Sequence, residues 1–183
     1  MEKVPLEIII PIYNEGEKVI KLLNQFQILI KTKFKVLLCY DLNDDNIFNY
    51  EKELIKFNFE VILVKNSSTG PCAAIKEGLY YGNSDCVIVY PADDLLNINI
   101  IDQMYISYKN DNDIVVASRF IKGGSMKGCP LFKSILVRLA SSTLYLLSSI
   151  PVRDASNGFR LFSRRLLNIV KVESKIGFAY SLE

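Results

Sequence analysis

Short apolar runs rich in β-branched residues alternate along the chain with longer stretches in which apolar residues recur every three or four positions. The short runs predict strands over residues 6–10, 34–40, 59–64, 86–90 and 113–118. The longer stretches predict helices over residues 19–30, 48–57, 72–81, 98–108 and 131–150. This order is typical of an α/β fold with a mostly parallel sheet flanked by helices on both faces. No repeat or linker interrupts the order, so we expect one domain over residues 1–183.

The composition excludes several classes of protein. Half of the residues are apolar and 23% are charged, which excludes a disordered or collagen-like chain. The 22 basic and 20 acidic side chains nearly balance, so the net charge gives no reason to expect binding to nucleic acid. The chain has no histidine and no Cys-x-x-Cys pair, which excludes the usual zinc site and any Ser-His or Cys-His nucleophile. Acid-base chemistry would therefore depend on carboxylates, lysine or tyrosine.

The sequence also indicates where in the cell the protein is located. The first residues lead straight into a predicted strand and lack the apolar stretch of a signal peptide. No run reaches the roughly 18 uncharged apolar residues that a membrane-spanning helix requires. The four widely spaced cysteines are expected to be reduced thiols. We therefore expect a cytoplasmic protein.

A polar loop follows each predicted strand, and parallel strands place such loops at one edge of the sheet, where ligands bind. Each loop also has a purely structural explanation. Asn14 and Glu17 have the spacing of a capping box for the next helix. The acidic loop that begins at Asp41 suits either a ribose or base site or a helix start. Gly70 and Pro71 suit the first residues of a helix, which is also where anions bind.

The fourth predicted strand ends in Asp93 and Asp94. Two adjacent carboxylates at this edge of a sheet suit a hard divalent cation, Mg²⁺ or Mn²⁺, which would take its other ligands from water and substrate phosphates. The alternative is a helix start that carries acidic residues. The sequence leaves both open.

Charge is segregated in the last third of the chain. From Arg119 to Arg153 there are six basic residues and no acidic one, whereas Asp113 and Asp154 lie on either side. The six are Arg119, Lys122, Lys127, Lys133, Arg138 and Arg153. This pattern predicts a basic surface that meets an anion beside an acidic metal pocket.

The predicted helix over residues 131–150 lies inside this basic segment. Its uncharged part is too short to span a bilayer, but an amphipathic helix of this kind suits a membrane interface, with Lys133 and Arg138 near lipid phosphates. The alternative is a helix packed in the core.

Several motifs, taken in order, resemble the family 2 glycosyltransferases of GT-A fold, and among them the dolichyl- or polyprenyl-phosphate sugar synthases. Residues 11–15 (Pro-Ile-Tyr-Asn-Glu) resemble the family's opening Pro-Val-Tyr-Asn-Glu, and residues 66–78 are similar to its Asn-x-Gly-x-Gly-x-x-x-Ala-x-x-x-Gly segment. Residues 92–93 match the end of its Asp-Ala-Asp metal motif. Residues 117–120 resemble Gly-Ser-Arg-Tyr, and residues 154–161 resemble Asp-x-x-x-Gly-Phe-Arg-Leu. The similarity covers nearly the whole chain.

The resemblance implies transfer of a sugar from a nucleotide-diphosphate sugar to a polyprenyl phosphate at the cytoplasmic face of a membrane, with a divalent cation, Mg²⁺ or Mn²⁺, as cofactor. The residues expected to bind the nucleotide sugar are Pro11, Tyr13, Asn14, Glu15, Asp41, Asn66, Gly70, Ala92 and Asp93. Those expected to bind the acceptor phosphate are Arg119, Lys133, Arg138 and Arg160. Asp93 and Asp94 are the expected metal ligands, and the catalytic candidates are Asp93, Asp94, Arg119 and Asp154.

The chain departs from the family pattern in three places. Pro91 stands where the metal motif has its first Asp, so the metal would depend on Asp93, with Asp94 as a substitute. Leu42 and Asn43 replace a common Gly-Ser, which leaves the base open. The family continues beyond the segment at 177–183, which implies that this chain lacks the carboxyl end of the domain.

Three other functions remain as alternatives. A transferase that acts on a sugar hydroxyl would need a base, for which Asp94 or Asp154 would serve. A nucleotidyltransferase would carry a Gly-rich loop with Lys or Arg after the first strand, whereas this chain has Tyr13 to Glu15 there. Pro91 and the early end of the chain are compatible with a non-catalytic module that binds sugar nucleotides.

Overall fold

The computed structural model describes residues 4–124, 130–147, 152–174 and 180. The strands are β1 (Leu6–Ile12), β2 (Phe34–Tyr40), β3 (Val61–Lys65), β4 (Cys86–Val89), β5 (Ile114–Val116) and β6 (Arg160–Ser163). The helices are α1 (Gly16–Leu29), α2 (Glu51–Leu54), α3 (Pro71–Tyr81), α4 (Ile100–Lys109), α5 (Leu131–Leu147) and α6 (Arg164–Leu167). A 3₁₀ turn over Asn46–Tyr50 precedes α2, so the predicted helix over residues 48–57 is divided into two short pieces.

The six strands of the described residues form one sheet in the order β3-β2-β1-β4-β6-β5. β1 pairs in parallel with β2 and β4, and β2 pairs in parallel with β3, which confirms the predicted mostly parallel sheet. The chain first builds the sheet on one side of β1 and then crosses to the other side to add β4. The crevice between the carboxyl ends of β1 and β4 is therefore the place where a sheet of this topology binds ligands.

The strand β6 was not predicted, because its four residues are too few to show an alternating pattern and begin with an arginine. It lies between β4 and β5 and runs antiparallel to both. As a result, the amino end of β6 lies at the edge where the parallel strands have their carboxyl ends. This orientation brings the loop before Arg160 to the crevice.

The core consists of two apolar layers, one on each face of the sheet. Ile8 and Ile10 of β1 pack in one layer with Phe26 of α1, whereas Ile9 packs in the other layer with Ile75 of α3. All five side chains are fully buried. Because successive side chains of a strand point to opposite faces, the apolar run of β1 contributes to both layers. The predicted placement of helices on both faces is confirmed.

A buried ion cluster joins the amino ends of β1 and β2 to α6. The carboxylate of Glu7 is fully buried and lies 3.0 Å from Lys35 Nζ and 2.8 Å from a terminal nitrogen of Arg164. It also accepts hydrogen bonds of 2.9 and 3.2 Å from the backbone N–H groups of Asn83 and Ser84. The cluster lies at the edge of the sheet opposite the crevice, so its role is in the stability of the fold.

Helix α5 differs from the other long helices because its apolar residues face outward. Only Ser141 is buried among the residues of α5, whereas Leu131, Phe132 and Leu146 are at least three quarters exposed. The interpretation of this segment as a core helix is therefore wrong for Leu131–Leu147, and residues 148–150 lie outside the described part of the chain. None of the helices among the described residues is long and apolar enough to cross a membrane.

Candidate active site

A cleft of about 660 Å³ opens at the carboxyl ends of β1 and β4, where the topology places it. Seven of the residues predicted to bind the nucleotide sugar line it. They are Pro11, Tyr13, Glu15, Asp41, Gly70, Ala92 and Asp93. The remaining two, Asn14 and Asn66, support the loops that form its walls.

Asn14 joins the loop after β1 to the loop after β2. Its backbone N–H donates to Asp45 Oδ2 at 2.7 Å, and its Oδ1 accepts from the N–H of Asn46 at 3.1 Å. Its φ of 54° lies in the left-handed region, which asparagine tolerates better than most residues. The capping-box interpretation is wrong, since α1 has no side-chain cap and Glu17 pairs instead with Lys21. Asn14 thus holds the wall of the cleft on which Tyr13 and Glu15 lie.

Asp41 organises the opposite wall. Its two carboxylate oxygens accept from Asn66 Nδ2 at 2.6 Å and from the N–H of Gly70 at 2.8 Å. Gly70 has a φ of +97°, a backbone conformation that residues with a side chain rarely adopt. This position at the start of α3 therefore requires glycine. The Oδ1 atom of Asn66 is buried and has no hydrogen-bond partner among the described residues. These contacts fix the loop over residues 66–70 beside the carboxylate that lines the cleft.

Asp93 and Asp94 have different environments. Asp93 is exposed and lines the cleft. Asp94 accepts at 2.9 and 3.1 Å from the backbone N–H groups of Leu96 and Asn97, and at 2.7 Å from the side chain of Asn97. Its carboxylate closes the following turn and does not line the cleft. This placement gives no support to the expectation that Asp94 acts as a metal ligand or catalytic group.

The cleft presents few ligands of its own for the expected divalent cation. The described residues contain no group of three or more metal-ligating side chains, so Asp93 is the one predicted ligand that the cleft presents. A single hard carboxylate oxygen fits a cation that takes its other ligands from water and phosphate oxygens. The pKa of Lys18 is raised, chiefly by its hydrogen bond to Glu15 and to a smaller extent by Asp93. Lys18 thus lies near Glu15 and Asp93, which, together with Asp41, are the three carboxylates that line the cleft among the described residues.

Tyr90 anchors the loop that carries Asp93. Its ring is fully buried, with its centroid 5.2 Å from that of Phe26 and 4.7 Å from that of Phe159. Its hydroxyl donates to the carbonyl oxygen of Asp94 at 2.8 Å. Burial, together with the nearby Asp94, raises the pKa of Tyr90 above its ordinary value, so this hydroxyl stays protonated and does not act as a base.

Arg119 and Asp154 form a tight pair beside the cleft. Asp154 is fully buried and accepts from the backbone N–H, Nε and a terminal nitrogen of Arg119 at 2.9, 2.8 and 2.6 Å. The same terminal nitrogen donates to Ser156 Oγ at 3.0 Å, and Ser156 lines the cleft. A carboxylate that is buried and bonded in this way fits the positioning of Arg119 and not proton abstraction. The predicted catalytic role of Asp154 gains no support from this geometry.

Arg160 does not face the cleft. It is 6% exposed, and its Nε donates to the carbonyl oxygen of Asn157 at 2.8 Å, while a terminal nitrogen donates to the carbonyl oxygen of Ala155. Burial lowers its pKa below the ordinary value. The guanidinium therefore supports the loop over residues 155–158, which contradicts the prediction that it binds an acceptor phosphate.

Among the lining residues that were not assigned from the sequence are Ser156, Asn157, Phe159 and Tyr180. The first three precede β6, and an assignment of β6 as an antiparallel strand would have placed them at the crevice. Tyr180 is buried, and its hydroxyl donates to the carbonyl oxygen of Gly158 at 2.6 Å. Nothing in the spacing of the sequence indicated that contact.

The remaining basic candidates lie on α5. Lys133 is exposed and lines neither the cleft nor the smaller cavity beside α5 that is lined by Arg138. The guanidinium carbon of Arg138 lies 5.5 Å from the ring centroid of Phe120, and that of Arg119 lies at the same distance from this ring. A second cavity, of about 360 Å³, is lined by Phe120, Arg138, Ser142, Tyr145, Leu146 and Arg153. Lys127, another member of the basic segment, lies outside the described residues.

The chain is similar to known proteins in sequence and in structure. The chain is 22% identical over 181 residues to a dolichol-phosphate mannosyltransferase of Pyrococcus furiosus. The aligned region covers 97% of this chain and 51% of that protein. It spans about half the length of the curated relatives it matches.

Two solved structures are similar in fold. The glucosyl-3-phosphoglycerate synthase of Mycobacterium tuberculosis, in complex with Mn²⁺, UDP and glucosyl-3-phosphoglycerate, superposes with a TM-score of 0.65 and 16% identity over 98% of this chain and 63% of that chain. The mannosyltransferase PcManGT of Pyrobaculum calidifontis, in complex with GDP-Man and Mn²⁺, superposes with a TM-score of 0.66 and 15% identity. The match covers 99% of this chain and 51% of that chain. These similarities confirm the predicted GT-A fold.

The sequence profile of glycosyl transferase family 2 matches residues 7–170, which include every strand of the sheet but the first residue of β1. The matched segment also contains the loops that carry Asp41, Asp93 and Arg119. This chain therefore belongs to glycosyl transferase family 2.

Proposed function

We propose that this chain transfers a sugar from a nucleotide-diphosphate sugar to a polyprenyl phosphate at a membrane surface. The observation that carries the proposal is the position of Arg119, which donates to Ser156 at the wall of the cleft that contains Asp93. An anionic acceptor held near Arg119 would lie beside a donor bound in the cleft. The P. furiosus relative bears the name of a dolichol-phosphate mannosyltransferase, which supports this acceptor class.

The donor would occupy the cleft at the ends of β1 and β4. Both similar structures were obtained with Mn²⁺ and a nucleotide, UDP in one and GDP-Man in the other, which supports a nucleotide-diphosphate sugar. Asp93 would hold the cation, and Asp41, Tyr13 and Glu15 would form the walls around the nucleotide. A divalent cation, when bound, supplies positive charge where the departing diphosphate becomes more negative.

The acceptor chemistry agrees with the residues present. A phosphate monoester has a second pKa near 6 and is already ionised at neutral pH, so it needs no general base. A sugar hydroxyl needs one. The two carboxylates considered for that role, Asp94 and Asp154, are both engaged in hydrogen bonds and do not line the cleft. We therefore favour the phosphate acceptor over the hydroxyl.

Helix α5 would attach the protein to the membrane. It exposes Leu131, Phe132, Leu139 and Leu146, and the same helix carries Lys133 and Arg138. An amphipathic helix with exposed apolar and basic residues binds at the interface of anionic lipids. Three of the four cysteines, Cys39, Cys72 and Cys86, are free thiols, which fits the reducing cytoplasmic side.

The test is a transfer assay preceded by a donor screen. Thermal shifts with UDP- and GDP-sugars in the presence of Mn²⁺ identify the donor, because a ligand that binds the folded state raises the melting temperature. Vesicles that contain a polyprenyl phosphate are then incubated with the labelled donor, and matched vesicles contain the same polyprenol without phosphate. We expect labelled lipid only in the first set.

The controls separate this proposal from its alternatives. Equal labelling of both vesicle sets, or labelling only of soluble sugars, would reject the phosphate acceptor. Donor binding without any product would identify a non-catalytic module.

A further inference from the structure

We propose that the hydroxyl group of Ser156 binds the distal phosphate of a nucleoside diphosphate in the cleft. Ser156 had no predicted role, and its exposed side chain lines the same cleft as Asp93. The inference depends on the proposed function, because it names a further residue that contacts the donor of that reaction.

The hydrogen bond from Arg119 determines how the Ser156 hydroxyl can act. A terminal nitrogen of Arg119 donates to Ser156 Oγ at 3.0 Å, while Asp154 holds the same guanidinium through hydrogen bonds of 2.8 and 2.6 Å. The serine oxygen is therefore an acceptor toward Arg119, and its own proton points away from the guanidinium. No group among the described residues accepts that proton. The hydroxyl thus has one hydrogen to donate at the surface of the cleft.

The segment that carries Ser156 is held in place by its neighbour Asn157. The Nδ2 atom of Asn157 donates to the carbonyl oxygen of Ala117 at 2.5 Å, and its Oδ1 accepts from the N–H of Phe159 at 3.1 Å. Both polar atoms of the Asn157 side chain therefore already have protein partners. Because the other two residues of the segment 155–158 carry no polar side chain, Ser156 supplies the side-chain donor of this segment to the cleft. A donor held in a fixed position binds a ligand without the cost of ordering it first.

The order of the strands places Ser156 at the phosphate end of the donor. The sheet order is β3-β2-β1-β4-β6-β5, so the loops proposed to surround the nucleotide, after β2 and β1, come first along the cleft. Asp93 follows on the loop after β4, and Ser156 comes next, before β6. A donor with its base near Asp41 and its diphosphate at a cation on Asp93 would therefore bring its distal end to Ser156.

The loops that carry Asp93 and Ser156 leave the sheet side by side. Val89 at the end of β4 pairs with Arg160 at the start of β6. Neighbouring strands lie about 4.8 Å apart, so the two loops begin at the same level of the sheet and one strand spacing from each other. A diphosphate has oxygens for both loops, since one can bind the cation while another accepts from the serine.

A charged oxygen suits this hydroxyl better than a sugar hydroxyl does. A hydroxyl that accepts a hydrogen bond from a guanidinium is polarised and becomes a stronger donor. Hydrogen bonds to an ionised acceptor are about twice as strong as those between neutral groups. The phosphate therefore gains more than a sugar oxygen from the contact with Ser156.

The experiment compares nucleoside diphosphates with monophosphates, which differ only in the distal phosphate. The full chain and its variants are titrated by calorimetry with UDP, UMP, GDP and GMP in the presence of Mn²⁺. The variants are Ser156→Ala, which removes the hydroxyl, and Ser156→Thr, which keeps it. Ser142→Ala removes the same group from an exposed position outside the cleft and is the matched control.

We expect Ser156→Ala to weaken binding of the preferred diphosphate about tenfold, the effect of one hydrogen bond to a charged group. Affinity for the corresponding monophosphate should stay the same, because that ligand lacks the distal phosphate. Ser156→Thr should keep most of the diphosphate affinity, and the control should change neither affinity. A general disturbance of the cleft would instead weaken both ligands equally.

Several results would overturn the proposal. These are equal losses for diphosphate and monophosphate, no loss for either, diphosphate binding by Ser156→Thr as weak as that of Ser156→Ala, or no binding of any of the four nucleotides. An unchanged diphosphate affinity together with a higher KM for polyprenyl phosphate would assign the hydroxyl to the acceptor instead. Diphosphate binding that depends on Ser156, without transfer of sugar to polyprenyl phosphate, would reject the proposed function and leave this contact standing.

Discussion

Asp154 offers the most informative substitution, because the structure and the hydroxyl-acceptor alternative assign it different roles. In the structure it is a fully buried anion that receives three hydrogen bonds from Arg119. In the alternative it is a base that takes a proton from a sugar hydroxyl. Asp154→Asn keeps the shape of the side chain and removes its charge.

The expected loss of stability follows from the burial of the pair. Removing one partner of a buried ion pair costs about 3–5 kcal/mol, because the other charge is left without compensation. The side chain of Arg119 is 30% exposed, so water partly compensates its charge and the lower end, about 3 kcal/mol, applies. With an m value of about 2 kcal/mol per molar urea, the unfolding midpoint should fall by about 1.5 M.

The assay is urea unfolding followed by circular dichroism, since the chain has no tryptophan. Asp44→Asn, at an exposed position, is the control and should leave the midpoint unchanged. For function, we expect Asp154→Asn to reduce transfer to polyprenyl phosphate without moving the pH profile, and to leave nucleotide affinity in place. An unchanged midpoint together with a transfer rate that no longer depends on pH would refute the positioning role and support the base.

Three further predictions concern the metal, the membrane and the fold. Asp93→Ala should abolish the Mn²⁺ dependence of nucleotide binding measured by calorimetry, because Asp93 is the metal ligand that we propose in the cleft; an affinity that still responds to Mn²⁺ would contradict this assignment. Replacing Lys133 and Arg138 together by glutamine should weaken binding to anionic vesicles about 30-fold at low salt, at about 1 kcal/mol for each basic residue, in a sedimentation assay. Vesicle binding that ignores both substitutions and the salt concentration would reject the interfacial role of α5. Glu7→Gln should lower the free energy of unfolding by about 3–5 kcal/mol, because Lys35 and Arg164 lose the anion that they share. Glu17→Gln, which breaks an exposed pair, should leave the unfolding midpoint nearly unchanged, and equal effects of the two substitutions would contradict the reasoning.

Local patterns in the sequence were sufficient to predict much of the fold. The apolar run of β1 and the helical spacing of α1 predicted both elements, since each buries its apolar residues against the sheet. The order of strands and helices then placed the polar loops at one edge of a parallel sheet. Seven of the nine residues predicted to bind the nucleotide line the cleft that forms there.

The orientation of side chains in that cleft could not be predicted in this way. Asp93 and Asp94 are adjacent and chemically identical, yet one lines the cleft and the other closes a turn. Arg119 and Arg160 both belong to motifs, yet one reaches the cleft wall through Ser156 and the other supports a loop from inside. A sequence records the type of a side chain, but its partner depends on which loops pack against it.

By itself, therefore, the sequence determined the α/β order, the edge of the sheet that carries the polar loops, and the segregation of acidic and basic residues. Periodicity and charge are properties of neighbours along the chain, so they can be read without a structure. Only the tertiary structure decided that β6 runs antiparallel and brings Ser156 and Asn157 to the cleft, that Asp154 holds Arg119, and that Arg138 and Arg153 share a cavity. These arrangements join residues from different elements and loops, and they depend on how the strands pair and on which loops come together at the cleft.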